Sequence, residues 1–256
     1  MTEAHLNHAD LHHILSKMPS ALRNLIKNNS LMLAGGAIRS LITRERISDW
    51  DLFGADEYTL KAVAAKVEAA YGPGSRTHKS KNAYTILAHG RTPVQLIRRW
   101  LYTSPEQLWQ DFDFTVARAV IWYDTGKGWC SATDPNYYAD LASRRLRYCA
   151  PERQEDAGGS MMRVMKFVSK GYIIAPEDLA MVMSRITRRI RWEHELVRKD
   201  DGARIMAGLL REVDPLTIID GVEMEEETPA TISEEALRGI PGEDVDWSAS
   251  TKEVTL

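Results

Sequence analysis

Cysteine is nearly missing from this 256-residue chain, and the two present, Cys130 and Cys149, form no C-x-x-C pair and no larger framework. That pattern excludes a disulfide scaffold and a cysteine-built zinc site, leaving reduced thiols as the expectation. Long apolar runs are missing too, since none reaches the ~20 residues needed to span a bilayer. The polar, histidine-bearing start, Met1 to Asp10, lacks the apolar centre of a signal peptide. A cytoplasmic protein with no membrane partner is expected. Internal repeats and low-complexity tracts are also absent.

What is there has the balance of a globular protein, with 44% hydrophobic and 27% charged residues. The length suits one or two domains of about 100 to 200 residues. The net charge of -3 is unevenly spread. From Val222 to Leu256 ten acidic residues face only Arg238 and Lys252, a balance of -8, so the remaining 221 residues carry +5. Such a body tolerates a polyanionic partner, and such a tail repels one.

The chemistry concentrates between Leu31 and Phe53. An apolar run ending at Ala34 reads as a short strand, Gly35 and Gly36 as a turn free of Cβ atoms, and Ala37 to Thr43 as a helix. Amides at a helix start attract phosphate. Asp49 and Asp51 then alternate in a second apolar run with Ile47, Leu52 and Phe53. On a strand both carboxylates lie on one face, about 6 to 7 Å apart along the backbone, a spacing that suits a pair of divalent metals.

Gly35-Gly36-x-Ile38-Arg39 followed at this interval by Asp49-x-Asp51 resembles the head domain of the tRNA CCA-adding enzymes and bacterial poly(A) polymerases, within the polymerase-beta-like nucleotidyltransferases. Ser40 stands where that motif commonly ends in Asp. The resemblance implies an α+β fold, a small mixed sheet with flanking helices followed by a helical lobe. It implies metal-dependent transfer of a nucleoside monophosphate from an NTP to a hydroxyl, with release of pyrophosphate. An RNA 3′ end is the expected acceptor, and a protein or small-molecule hydroxyl the alternative. Asp49 and Asp51 would be catalytic and hold Mg²⁺ (or Mn²⁺), while Gly35, Gly36 and Arg39 would cradle phosphates. Arg98 or Arg99 would help hold the triphosphate, unless they are exposed edge-strand charges.

Further matches are partial. The segment Phe112-Asp113-Phe114-Thr115-Val116-Ala117 resembles the family's Arg-Arg-Asp-Phe-Thr-x-Asn, which implies ribose contact by Asp113; a turn cap is the other reading. Asp111 and Phe112 replace the arginine pair, Ala117 replaces the Asn, and Gln95 stands where relatives often carry a third acidic residue. Glu155 to Ile174 resembles the family's neck segment, with Ser160 in place of the base-reading Arg, so the nucleotide preference stays open. A rival reading is a catalytically silent nucleotide- or RNA-binding module on the same fold. Gln95, Ala117 and Ser160 favour it, and the intact Asp49/Asp51 pair disfavours it because clustered carboxylates are costly.

Along the chain, Leu11 to Ile26 reads as two short helices broken at Pro19-Ser20. His5, His8, His12 and His13 are expected to be solvated, with a transition-metal site as the alternative. Glu57 to Tyr71 reads as a helix stopped by Gly72-Pro73-Gly74. Strands follow at Arg76 to Lys79, Tyr84 to Ala88 and Val94 to Ile97. Helices are expected after Ser104-Pro105, from Tyr137 to Arg147, from Pro176 to Val197 with a basic side (Arg185, Arg188, Arg189, Arg198), and from Asp201 to Val213. The expected division is a head at 1–125, a neck-like helical domain at 126–215 and an acidic, mobile tail at 216–256. The resemblance covers about residues 24–174 and stops short of the body and tail domains with which CCA-adding enzymes hold tRNA, which argues against simple CCA addition.

Overall fold

The computed structural model describes residues 4–149 and 157–188, and the backbone of two short strands at 218–219 and 222–223. Helix α1 (His8–Lys17) starts where the Asn7 side chain accepts from the Asp10 amide, and Pro19 separates it from α2 (Ser20–Asn29). Strand β1 (Met32–Ala34) leads into α3 (Gly36–Ile42), and β2 (Trp50–Phe53) into α4 (Glu57–Tyr71). Asp56 caps α4 by accepting from the Thr59 amide, and Gly72 ends it at φ 80°. Strands β3 (Arg76–Lys79), β4 (Ala83–Leu87) and β5 (Val94–Ile97) precede α5 (Pro105–Gln110), which Ser104 caps. Then come β6 (Ala119–Asp124), β7 (Gly128–Thr133), α6 (Tyr137–Ala142), β8 (Arg145–Leu146), α7 (Ala157–Ser169), β9 (Ile173–Ile174) and α8 (Pro176–Thr187).

The first seven strands form one mixed sheet in the order β3-β4-β5-β2-β1-β6-β7. Only β2 and β5 run parallel; the other neighbours are antiparallel. Side chains alternate between its faces. Leu33, Trp50, Leu52, Tyr84, Ile86, Val94, Leu96 and Ile121 face the larger core, which α1 to α4 complete with residues such as Ile14, Ile26, Ile38, Leu60 and Val63. Met32, Ala34, Phe53, Val120 and Ala132 share a smaller core with Tyr102, Leu108 and Trp109. The thinner side, which carries α5, leaves room for a cleft at the centre of the sheet. This is the α+β head expected from the sequence.

Two local expectations change. The sequence reading carries no strand between 117 and 134, yet β6 and β7 form a hairpin whose turn is tied by Asp124 Oδ1 accepting from the Gly126 and Lys127 amides. Residue 125 lies in that turn, so the sheet continues through the point where the head was expected to end. Helix α6 stops at Ala142 rather than Arg147, because Arg144 turns left-handed at φ 51° and the chain then pairs β8 with β9. The far end of the helix expected to reach Val197, the helix expected at 201–213 and the tail's expected mobility lie outside the described residues. Among the described residues no helix is long and apolar enough to cross a membrane.

Leu60 is fully buried against the sheet. Replacing it with Ala is expected to lower unfolding free energy by about 2 to 5 kcal/mol, measured by urea denaturation; a loss below about 1 kcal/mol would be inconsistent with this core.

Candidate active site

Strand β1 ends at the sheet centre, and Gly35 then turns the chain at φ 82° and ψ -142°, a conformation that L side chains avoid. A Cβ there would also come within 3.1 Å of Asp51 Oδ2 and 3.8 Å of the Phe112 ring. Both backbone and space therefore demand glycine. At Gly36 a Cβ would meet only Arg39 Nη2, at 3.7 Å, an ordinary contact.

Asp51 is held from both sides, its strand pairing Ala34 of β1 and Gln95 of β5 at this register. Alternation sends Trp50 and Leu52 into the larger core and turns Asp49, Asp51 and Phe53 into one cleft of about 230 Å³. Ser48 Oγ donates to Asp49 Oδ1 at 3.0 Å. Burial nonetheless raises the Asp49 carboxyl above its ordinary range, with that bond and the charges of Lys166, Arg39 and Lys170 pulling the other way.

Asp113 enters the same cleft from the segment before β6 and is buried. Its Oδ2 accepts from Arg163 Nε at 2.7 Å, and its carbonyl accepts from the Cys149 amide at 2.8 Å. Next to it, Phe114 packs between the Tyr148 and Phe167 rings, and Thr115 Oγ1 donates to the buried Asp140 at 2.7 Å. This segment is anchored at several points, so Asp113 is a fixed carboxylate rather than a simple turn cap.

Of the residues picked out in the sequence, Gly35, Gly36, Arg39, Asp49, Asp51 and Asp113 all line this cleft. Arg98 does not. It continues the parity of Val94 and Leu96, which face the larger core, and there it pairs with Glu57 Oε1 at 2.6 Å and lies 5.3 Å from the Tyr84 ring centre. The Tyr84 hydroxyl bond, ahead of the Arg98 charge, holds the Glu57 carboxyl below its usual range. Arg98 ties β5 to the start of α4.

Other cleft residues were given no site role in the sequence reading. Arg163, Lys166, Phe167 and Lys170 fall at intervals of three, one and three, a single helical face, and that spacing was the available signal. Opposite them Phe53, Trp100, Tyr102 and Phe112 make an aromatic wall, with Phe53 edge-on to Tyr102 at 6.0 Å and to Phe112 at 6.1 Å. Ser160, expected at the base-reading position, is wholly buried, and its Oγ accepts from Arg185 at 3.4 Å. Arg185, expected on an outward basic side, turns inward to Ser160 and the Tyr148 hydroxyl.

Known proteins place this geometry. A family model for the Gabija anti-defense 2 family matches residues 5–144. The chain belongs to that family. A curated member, "Gabija anti-defense 2" of Bacillus phage SPbetaL7, is 23% identical over 172 residues, covering 67% of this chain and 41% of that protein. The chain thus spans less than half the length of this relative. In structure it is similar to the Thermotoga maritima CCA-adding enzyme complexed with tRNA (TM-score 0.52, 14% identity, 74% of this chain and 47% of that one). It is likewise similar to a CCA-adding enzyme complexed with CTP (TM-score 0.52, 14% identity, 73% and 47%). At this identity the likeness is one of fold. The resemblance read from the sequence therefore holds for the fold, which is similar to that of the CCA-adding enzymes, while family membership lies with Gabija anti-defense 2.

Two predictions arise from the glycine turn and the buried carboxylate. Gly35→Ala is expected to cost about 1 to 3 kcal/mol of stability through its strained φ and its clash with Asp51, while Gly36→Ala stays near wild type; equal urea midpoints would contradict the turn. Because burial raises the Asp49 carboxyl from 3.8, its ionised form costs the fold stability at neutral pH, and that cost fades as the pH falls through the raised folded value and is gone below about 3.8. Asp49→Asn should accordingly raise Tm at pH 7, each kcal/mol of relief giving about 2 to 4 °C in a chain this size, with the gain shrinking toward pH 4. A lower Tm at pH 7 would refute it.

Proposed function

We propose that this chain is a metal-dependent nucleotidyltransferase that moves a nucleoside monophosphate from an NTP to a hydroxyl acceptor. The observation that carries the reading is the convergence of Asp49, Asp51 and the Gly35-Gly36 turn in one cleft. The donor set fits Mg²⁺ (or Mn²⁺): that ion takes one or two carboxylates and completes its shell with water and substrate phosphate oxygens. Among the described residues no group of three or more His, Cys, Asp or Glu converges, so an all-protein metal cage has no support. Asp49 and Asp51 would hold the ion, which when bound supplies positive charge to the reacting phosphate and lowers the pKa of the acceptor hydroxyl.

The chain's own residues would do the rest. Gly35 and Gly36 leave the backbone open to close approach by phosphate, and Arg39 adds a guanidinium beside them. Asp113, held by Arg163, is oriented to accept from a ribose hydroxyl. A bond forms between the acceptor oxygen and the α-phosphorus, the bond to the β-phosphate bridging oxygen breaks, and pyrophosphate leaves. Gln95, across from Asp51, carries no basic group, so the hydroxyl proton passes to solvent rather than to that side chain.

An RNA 3′ end is the acceptor we favour, supported by the tRNA complex of the structural neighbour, with a protein or small-molecule hydroxyl as the alternative. The family's description adds the setting, action against a defence called Gabija. The reaction and its acceptor would be the means of that action. Gln95 favours a second reading, a silent nucleotide- or RNA-binding module on the same fold.

The test is incubation with each α-labelled NTP, Mg²⁺ or Mn²⁺, total RNA and protein, beside an Asp49→Asn/Asp51→Asn variant. Label on RNA that requires both aspartates is the expected result. Label on protein would keep the chemistry and change the acceptor; nucleotide bound with no label transferred would favour the module.

A further inference from the structure

The two walls of the cleft differ in kind. On the α7 side Arg163 is committed to Asp113, which leaves Lys166 and Lys170 with Arg39 across from them. Arg39 is only 7% exposed, its Nε has no hydrogen-bond partner, and its guanidinium lies 4.8 Å from the Phe167 ring centre. A desolvated guanidinium with an unsatisfied donor beside two ammonium groups is costly unless an anion completes it. Burial, then Arg39 and Lys166, depress the Lys170 ammonium, with the smaller charges of Glu45 and Asp49 opposing them. This is a built site for a multiply charged anion.

The far wall offers no such charge. Phe112 lies beside Gly35, and Phe53 stands edge-on to both Phe112 and Tyr102. The Tyr102 hydroxyl is spent on Asp111 Oδ2 at 2.7 Å, and among the described residues no Asn or Gln lines the cleft. Aromatic faces stack on any base because every base has a π-face. Reading a base needs hydrogen-bonding groups aimed at its edge, and the position expected to supply one, Ser160, is sealed beneath the surface.

We propose that the nucleotide lies with its polyphosphate on Arg39, Lys166 and Lys170 and its base against the Phe112 wall, so that the cleft recognises the triphosphate and is indifferent to the base. The order of groups fits: a Cβ at Gly35 would lie 3.8 Å from the Phe112 ring and 3.1 Å from Asp51 Oδ2, and one at Gly36 would lie 3.7 Å from Arg39 Nη2. The glycine turn, with Asp51 beside it, therefore stands between the base end and the phosphate end. The inference rests on the nucleotide reading above and gives it an orientation and a substrate class.

Equilibrium binding of labelled ATP to the full chain, competed by CTP, GTP, UTP and inorganic tripolyphosphate, tests it without turnover. The four NTPs are expected to bind within about threefold of one another, and tripolyphosphate to compete. Lys166→Ala/Lys170→Ala, at exposed positions, should weaken every NTP and tripolyphosphate by about tenfold or more. Phe112→Leu should weaken the NTPs and leave tripolyphosphate unchanged. A preference of tenfold or more for one base, about 1.4 kcal/mol, would overturn the inference, as would wild-type binding by the lysine variant. In either case label transfer that still depends on Asp49 and Asp51 would leave the transferase reading standing. Failure of any NTP to bind would remove both.

Discussion

A carboxylate held on the central strands of a sheet is the constraint from which this molecule follows. Asp51 sits on β2, whose backbone is paired on one side by β1 and on the other by β5, so the strand cannot shift to relieve it. Its neighbour Asp49 is partly withdrawn from water, and the nearby cations of Arg39, Lys166 and Lys170 offset that cost only in part. The sheet's other face is closed by four helices, which confines the charge to the thinner side. Rigid backing and a charged, partly open front are what a site needs if its groups are to keep their positions when a ligand arrives.

Much of this was legible in the sequence, for identifiable reasons. Helix α4 has an Asp cap, an amphipathic stripe and a glycine stop, and its observed limits coincide with the expected ones. The glycine pair and the aspartate pair were readable because each needs a specific residue type at a specific spacing. Arg98 was misplaced because a single residue's parity depends on which face of β5 carries the core, and the run Val94 to Ile97 is apolar enough to suit either. The β6–β7 hairpin escaped because Ala119, Val120 and Ile121 are buried on both faces, which erases the alternation that marks a half-exposed strand. Lys166 and Lys170 were hidden differently: surface lysines on a helix are ordinary, and only the tertiary fold brings these two to Arg39.

Fold and family part company here. The architecture is that of CCA-adding enzymes at 14% identity, whereas the family match is to Gabija anti-defense 2. A shared scaffold constrains where chemistry can happen more than which chemistry it is. The departures from the CCA-adding pattern cluster around the cleft: Gln95 across from Asp51, Phe112 in place of an arginine, Ala117 on the lining and Ser160 beneath it. They are a change in what the walls offer a ligand. Three of the chain's four phenylalanines line this one cleft, which marks the change as a local enrichment and not a drift in composition.

The contact between Gly35 and Asp51 ties the two positions in one direction only. A Cβ at 35 would come within 3.1 Å of Asp51 Oδ2, so position 35 is held while the carboxylate is kept. Loss of the carboxylate would not free the glycine, because the backbone at φ 82° still excludes an L side chain. Descendants of this chain should therefore keep Gly35 even where Asp51 is lost, and that record can be read from genomes alone.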